Sequence, residues 1–255
     1  MLRNVKDLQG YTIQATNGDI GSVRTFYFDD RDWRIRYLVV DTGNWLPGKR
    51  VLLSPESLHS PLLDTEYLPV NLTRDQVRDS PDIDTDRPVS RQQEVALHNH
   101  YNWPAYWTMY DPFVAQDLVA RPGGPPVPPP GMSAATPDLI DAQHHDVHLH
   151  SMREVIGYYI QASDGQIGHV EDFIIETDTW AVRYCVIDTR NWLPGKKVLV
   201  APDWIREVNW TDSQVHIELS RDQIKDSPEF DASTPVNRDY ELKLYDYYGR
   251  PTYWS

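Results

Sequence analysis

Four histidines stand close together near the middle of the chain, at positions 144, 145, 148 and 150. In an extended segment the side chains of His148 and His150 lie on one side, and imidazole nitrogens are preferred zinc ligands. The cluster therefore indicates a metal site formed by His144, His145, His148 and His150. The alternative is an incidental cluster within a linker. It is favoured because no rigid frame or supporting hydrogen-bond partner is recognisable around these residues.

The carboxylates and the one cysteine form no pattern typical of an enzyme. Acidic residues cluster at 29–32 and 82–86, as they commonly do in solvated turns. Cys185 lies in an apolar run, which predicts a buried structural thiol rather than a nucleophile. The sequence contains no glycine-rich phosphate loop after a strand and no nucleophile elbow. We therefore predict a protein that is not an enzyme and has no cofactor.

The same loop sequence, Asn-Trp-Leu-Pro-Gly-Lys, occurs at residues 44–49 and 191–196. Large aromatic side chains on loops are common anchors of protein interfaces. This pattern predicts a partner-binding surface formed by Asn44, Trp45, Leu46, Lys49, Asn191, Trp192, Leu193 and Lys196. The structural alternative is that Pro-Gly makes a turn and the Trp ring packs over the ends of the strands, and this interpretation is favoured.

The two loops belong to a longer internal repeat. A shift of 147 positions aligns residues 10–107 with residues 157–254 without a gap, and roughly two in five positions are identical. Between the copies lies a proline-rich tract at 121–131, which favours an extended spacer. The prediction is a first copy with its tail at 1–112, a Pro-rich and His-containing linker at 113–151, and a second copy with its tail at 152–255.

Each copy begins with β-strand signals. Asn17-Gly18 and Asp164-Gly165 are typical of tight hairpin turns and separate β-type runs. Five or six short strands are predicted in each copy. The runs lie at 11–16, 20–28, 33–40, 49–53 and 67–72, and at 158–163, 167–175, 180–187, 196–200 and 214–219.

Each copy ends with helix signals. Thr73 with Gln76, and Ser220 with Gln223, are capping boxes for short helices that end before a Ser-Pro pair. A second helix is predicted to start near Ser90 or Asn237.

An aromatic tail follows this second helix, at 98–107 and 245–254. We predict that each tail packs over the other copy rather than binding carbohydrate or nucleobases. The predicted fold class is mainly β, with two small antiparallel barrels, each followed by short helices, packed as an intramolecular pseudo-dimer.

Composition narrows the function classes. The formal net charge of −14 argues against nucleic-acid binding and against an anionic membrane surface. No apolar stretch is long enough to predict a membrane span, and charged residues near the N-terminus argue against a signal peptide. We therefore expect a cytoplasmic protein.

The strands, the Asp-Thr-x-Asn-Trp-Leu-Pro-Gly-Lys loop and the closing Ser-Pro…Pro-Val-x-Arg…Tyr…Pro-x-Tyr-Trp tail together resemble bacterial PRC-barrel domain proteins. The resemblance covers nearly the whole chain apart from the linker, and it implies two tandem PRC-barrel domains. Related folds include the cytoplasmic domain of the photosynthetic reaction-centre H subunit and the C-terminal domain of a ribosome maturation factor. This chain lacks the membrane helix of the first and the additional N-terminal domain of the second, so neither function transfers directly.

The resemblance implies a non-catalytic interaction or scaffold module whose protein partner is unknown. One alternative is a sensor that binds a small ligand or metal in the cleft between the barrels or at the linker histidines. A second alternative, implied by the resemblance alone, is an accessory role near electron-transfer or photosynthetic complexes. Self-association into a homo-oligomer stays open.

Overall fold

A computed structural model describes residues 1–83, 89–109, 148–189 and 195–254. We call the described parts of 1–109 and 148–254 the first and second halves. The strands of the first half are β1 (Leu2–Asn4), β2 (Thr12–Ala15), β3 (Gly18–Asp29), β4 (Arg34–Asp41), β5 (Arg50–Leu53) and β6 (Tyr67–Pro69). The strands of the second half are β7 (Leu149–Ser151), β8 (Tyr159–Ala162), β9 (Gly165–Glu176), β10 (Ala181–Asp188), β11 (Lys197–Val200), β12 (Ile205–Asn209) and β13 (Gln214–Ile217).

Short helices accompany the strands. They are α1 (Val5–Leu8), α2 (Arg74–Arg78), α3 (Arg91–Tyr101), α4 (Met152–Val155), α5 (Arg221–Asp226) and α6 (Arg238–Tyr248), with 3-10 turns at Pro55–Ser57, Tyr106–Met109 and Pro202–Trp204. The capping boxes that start α2 and α5 are both formed. Ser90 and Asn237 cap α3 and α6, and Gly249 ends α6 in the left-handed conformation. None of the helices in the described ranges combines the length and apolar character needed to cross a bilayer.

Thirteen strands of the described residues join into one sheet. Its main path runs β12-β13-β8-β9-β10-β4-β3-β2-β6, and the remaining strands pair beside this path. The mainly β fold is therefore confirmed. The pairing is not purely antiparallel, because β6 runs parallel to β2 and β13 runs parallel to β8. In each half the intervening strands bring the chain back beside its starting strand in the same direction.

The halves meet at a reciprocal seam between β4 and β10. The amide of Ile35 donates to the carbonyl of Trp180 at 2.8 Å, and the amide of Val182 donates to the carbonyl of Trp33 at 2.7 Å. These four residues are equivalent pairs in the repeat, so the seam has pseudo-two-fold symmetry. Buried side chains of both halves form one core cluster.

The segment that leads into each half lies on the opposite half. We define residues 2–8 as the first arm and residues 149–155 as the second arm. Strand β1 of the first arm pairs with β9, and strand β7 of the second arm pairs with β3. The sequence predicts that residues 149–151 form the end of the linker, whereas in the structure they form β7.

The aromatic tails, unlike the arms, lie on their own halves. The tail of each half lies on its own strands, as the contacts of His98 with Tyr37 and of Tyr245 with Tyr184 show. The expectation that each tail covers the other copy was wrong. The reason is that a carboxylate on α3 or α6 finds a buried tyrosine hydroxyl on the central strand of its own half.

Candidate functional site

The loop between β4 and β5 contains the predicted partner-binding residues of the first half. The hydroxyl of Thr42 lies 2.7 Å from the carbonyl oxygen of Leu46 and 2.6 Å from that of Lys49. The ammonium group of Lys49 donates to the carbonyls of Arg78 and Ser80, each at 3.0 Å. These carbonyls lie at the end of α2, where a cation is favourable. Lys49 therefore fastens the loop to the helix.

The ring of Trp45 is half-buried against the core. The guanidinium carbon of Arg74 lies 4.4 Å from the ring centroid, so a cation–π contact covers one face. Arg74 is itself held, because its backbone N–H donates to Oδ1 of Asn17 at 2.8 Å. Asn44 is exposed beside the ring, whereas Leu46 is half-buried. The loop thus presents a small surface whose position is set by α2 and by the β2–β3 turn.

The corresponding loop of the second half is described in part. Asn191, Trp192 and Leu193 lie outside the described residues. The hydroxyl of Thr189 donates to the carbonyl of Lys196 at 2.7 Å, and the ammonium group of Lys196 donates to the carbonyl of Ser227. The lysine therefore has the same anchoring role in both halves.

Of the four predicted metal ligands, His148 and His150 are described, and both contact Asp30. Nδ1 of His148 lies 2.8 Å from Oδ1 of Asp30, and Nε2 of His150 lies 3.3 Å from Oδ2. The ring of His150 also stacks on Trp210, with centroids 3.4 Å apart. No group of three or more ligand side chains in the described ranges could hold a metal ion. His144 and His145 lie outside those ranges, so the four-histidine site stays a prediction.

A buried cluster in the first half went unnoticed in the sequence analysis. The carboxylate of Glu94 is fully buried on α3. Its Oε1 accepts from the hydroxyl of Tyr37 at 2.9 Å and from that of Tyr106 at 2.5 Å. Its Oε2 lies 2.7 Å from Nη1 of Arg91. The cluster therefore ties α3 and the tail to the centre of β4.

The second half repeats this cluster. Oε1 of Glu241 accepts from the hydroxyl of Tyr184 at 2.8 Å and from that of Tyr253 at 3.0 Å, and Oε2 lies 3.1 Å from Arg238. Every member is identical in the two copies. The signal that could have found it is a glutamate that both copies retain on the same helix face as a retained leucine, Leu97 or Leu244.

His98 distinguishes the first cluster from the second, where Tyr245 takes its place. Nδ1 of His98 lies 2.9 Å from the carbonyl oxygen of Pro104, and Nε2 lies 2.7 Å from the hydroxyl of Tyr37. Burial lowers the pKa of His98 to about 4. His98 is therefore neutral near pH 7 and links α3 to the tail.

Asp29 and Cys185, which the sequence analysis considered for enzyme chemistry, lie in surroundings that suit a structural role. Burial opposes ionisation of Asp29, but hydrogen bonds from Arg31 and the charge of Arg36 hold its pKa below the usual range. Cys185 is buried, and burial raises the pKa of its thiol. A low-pKa carboxylate and an un-ionised thiol are poorly suited to act as a general acid or a nucleophile near neutral pH.

Asp172 lies on β9 beneath the first arm. Its Oδ1 is 3.3 Å from the backbone nitrogen of Lys6, and its side chain is almost completely buried. Burial raises the pKa of Asp172 to about 6, against the opposing effects of the Phe173 and Lys6 amides and the Lys6 ammonium. The equivalent residue in the first half is Thr25, which carries no charge.

We expect Asp172→Asn to stabilise the protein at pH 7 by about 2 kcal/mol, since two pKa units correspond to roughly 3 kcal/mol before lost hydrogen bonds are counted. The folded pKa of Asp172 lies above its unfolded value, so the stabilising contribution of this group is fully present below about pH 4 and is lost as the pH rises through about 6. The advantage of the variant should therefore vanish near pH 4. Urea unfolding of both proteins from pH 4 to 8 measures the difference. Exposed Asp246→Asn is the control, and a pH-independent difference for Asp172→Asn would contradict the expectation.

A cavity of about 520 Å³ opens at the seam. The first half contributes Arg34, Arg36, His98 and Tyr106 to its walls, and the second contributes Thr179 and Trp180. Aromatic walls with a few charged groups are typical of small-molecule sites.

A comparison with known protein families finds a match in the first half of the chain. The model of the PRC-barrel domain matches residues 2–77, which span β1 to β6 and nearly all of α2. The chain is thus a mainly β protein with a PRC-barrel domain in its first half. It is also similar to an uncharacterized protein of Deinococcus radiodurans, with 34% identity over 94 residues. That match covers 36% of this chain and spans 33% of the relative's length.

Proposed function

We propose that this protein is a non-catalytic interaction module that holds a protein partner at the loop of residues 44–49. The observation that carries the proposal is the position of Trp45, clamped between Arg74 and the core beside exposed Asn44. A ring that is already ordered loses little conformational entropy when a partner covers it. We extend the proposal to Asn191, Trp192, Leu193 and Lys196 of the second loop, because the sequence repeats there.

Trp45→Ala is expected to reduce partner capture at least tenfold, the loss of about 1.4 kcal/mol or more that a central aromatic anchor supplies. Because the ring is half-buried, the free energy of unfolding should fall by about 1–2 kcal/mol, and the chain should stay folded. Immobilised wild type and variant are compared by capture from the native cell followed by mass spectrometry, and melting temperatures are measured in parallel. Exposed Leu62→Ala in the same half is the control.

Asn44→Ala is a second loop variant that is expected to leave the chain folded, because the side chain of Asn44 is exposed. If both loop variants capture the same partners as the wild type while folded, the loop is structural and the proposal fails. The alternative supported by an observation is a small-ligand sensor, because the seam cavity is lined by both halves. A ligand-dependent rise in melting temperature that Arg34→Ala abolishes would favour the sensor.

A further inference from the structure

The outer face of β8, β12 and β13 contains an open groove of about 570 Å³. Its walls include the side chains of Gln161, Arg206, Gln214 and His216, and we call it the polar groove. Its volume lies within the range of small-molecule sites. Among the described residues it shares no wall with the seam cavity, so it is a separate candidate site.

The register of the strands places the side chains of the polar groove next to one another. Strand β13 runs parallel to β8, with Gln214 beside Tyr159 and His216 beside Gln161. The residues that alternate with them in both strands are buried, so these four side chains point to the outer face of the sheet. Because neighbouring strands lie about 5 Å apart, the four side chains form a continuous row.

The polar side chains of this row have unused hydrogen-bonding groups. In the part of the chain that the structure describes, Gln161, Gln214 and His216 make no side-chain hydrogen bond to the protein, and Arg206 makes no ion pair. Glu218, at the edge of the groove, is paired with an arginine of the tail at 2.7 Å. Amide and imidazole groups offer both donors and acceptors. The polar groove therefore offers several directed hydrogen bonds and little net charge.

The first half does not repeat this row. The positions of Gln214 and His216 are occupied there by Tyr67 and Pro69. Strand β6 nevertheless pairs with β2 in the same parallel manner as β13 pairs with β8. The polar row is therefore not needed for the pairing of these strands, and its hydrogen-bonding groups are available to a ligand.

We propose that the polar groove binds a neutral oligosaccharide. Sugar hydroxyls donate and accept hydrogen bonds, which matches the amides of Gln161 and Gln214 and the imidazole of His216. The planar guanidinium of Arg206 can donate to two neighbouring hydroxyls at once. The ring of Tyr159 is 50% exposed beside Gln214, and the apolar face of a sugar ring can pack on it. This inference goes beyond the proposed function and does not depend on what binds the loop at 44–49.

The proposal is tested by calorimetric titration of the full chain with maltohexaose, cellohexaose and chitohexaose. These probes present the same kind of hydroxyl groups in different arrangements. At least one of them is expected to bind with a Kd of about 1 mM or below. The absence of binding by all three would overturn the proposal.

Variants of the groove locate the bound saccharide. Gln161→Ala is expected to weaken binding about tenfold, the effect of losing the hydrogen bonds of one polar side chain. Gln14→Ala changes the counterpart of Gln161 in the first half and should leave the affinity unchanged. His216→Ala provides a second measurement from the neighbouring strand. Melting temperatures should stay close to that of the wild type, because these side chains lie on the outer face of the sheet.

The aromatic contact has its own pair of variants. Tyr159→Ala should weaken binding severalfold, whereas Tyr159→Phe should retain it, because stacking uses the ring and not the hydroxyl group. If Gln161→Ala, His216→Ala and Tyr159→Ala all bind the saccharide as tightly as Gln14→Ala, the saccharide lies elsewhere on the protein and the proposal is wrong.

Discussion

Glu94→Ala is expected to lower the free energy of unfolding by about 3–5 kcal/mol, the cost of breaking a buried ion pair by removing one partner. The substitution leaves the hydroxyl of Tyr37 without its carboxylate acceptor inside the core and separates Arg91 from its negative charge. Tyr106 also loses its contact, so the tail is expected to detach from α3. Urea unfolding at pH 7 measures the loss, and near-ultraviolet circular dichroism reports the packing of the tail aromatics.

Two further variants test whether the loss of stability arises from the cluster. Gln92→Ala removes an exposed side chain from the same helix and should change stability by less than about 0.5 kcal/mol. Glu241→Ala should repeat the loss in the second half, where the cluster has the same tyrosine and arginine partners. If Glu94→Ala costs less than about 1 kcal/mol, the cluster contributes no more than an ordinary hydrogen bond and the interpretation is wrong.

Leu8→Ala is expected to lower the free energy of unfolding by about 2–4 kcal/mol, the range for a buried leucine whose cavity does not collapse. The location of the effect is more informative than its size. Because the arm pairs with β9, amide protons at 174–177 should lose protection against hydrogen exchange, although they lie more than 160 positions away in the chain. Exchange measured by mass spectrometry follows this segment directly.

Matched variants distinguish the loss of support from one arm from a general loss of stability. Val155→Ala in the second arm should raise exchange at 27–30, in β3 of the first half. Asp7→Ala changes an exposed residue of the first arm and should leave both segments protected. If Leu8→Ala raises exchange uniformly, or chiefly within the first half, the arm does not support β9 in solution.

Much of the local structure was predictable from the residues. The capping boxes at Thr73 and Ser220 formed as expected, since their hydrogen bonds involve residues three positions apart. The turn at Asn17-Gly18 occurs where predicted, but only Gly18 has a positive φ. Asn17 instead uses its side chain to accept from the backbone of Arg74, a contact across 57 positions that no local pattern contains.

The candidate site was likewise predictable only in part from the sequence. The loop motif was visible as a repeated sequence, yet the contacts that fix it come from Arg74 and the end of α2. The Glu94 and Glu241 clusters join a central strand, a helix and a tail. Their members come together only in the folded protein, although each of these positions is identical in the two copies of the repeat. Hydrophobic periodicity does not find such clusters, because a buried carboxylate occupies an apolar position of the helix.

The sequence by itself determined that the chain is duplicated, where the strands other than β1, β7 and β12 lie, and where the helices α2, α3, α5 and α6 begin. Only the tertiary structure decided on which half each arm and each tail lies. The arms cross to the opposite half and the tails stay on their own. The physical reason is that the two halves offer nearly equivalent strand edges, and backbone hydrogen bonds do not distinguish one edge from the other. The choice depends on buried side chains and on single charges such as Glu171 and Asp30, which meet the arms only in the folded protein.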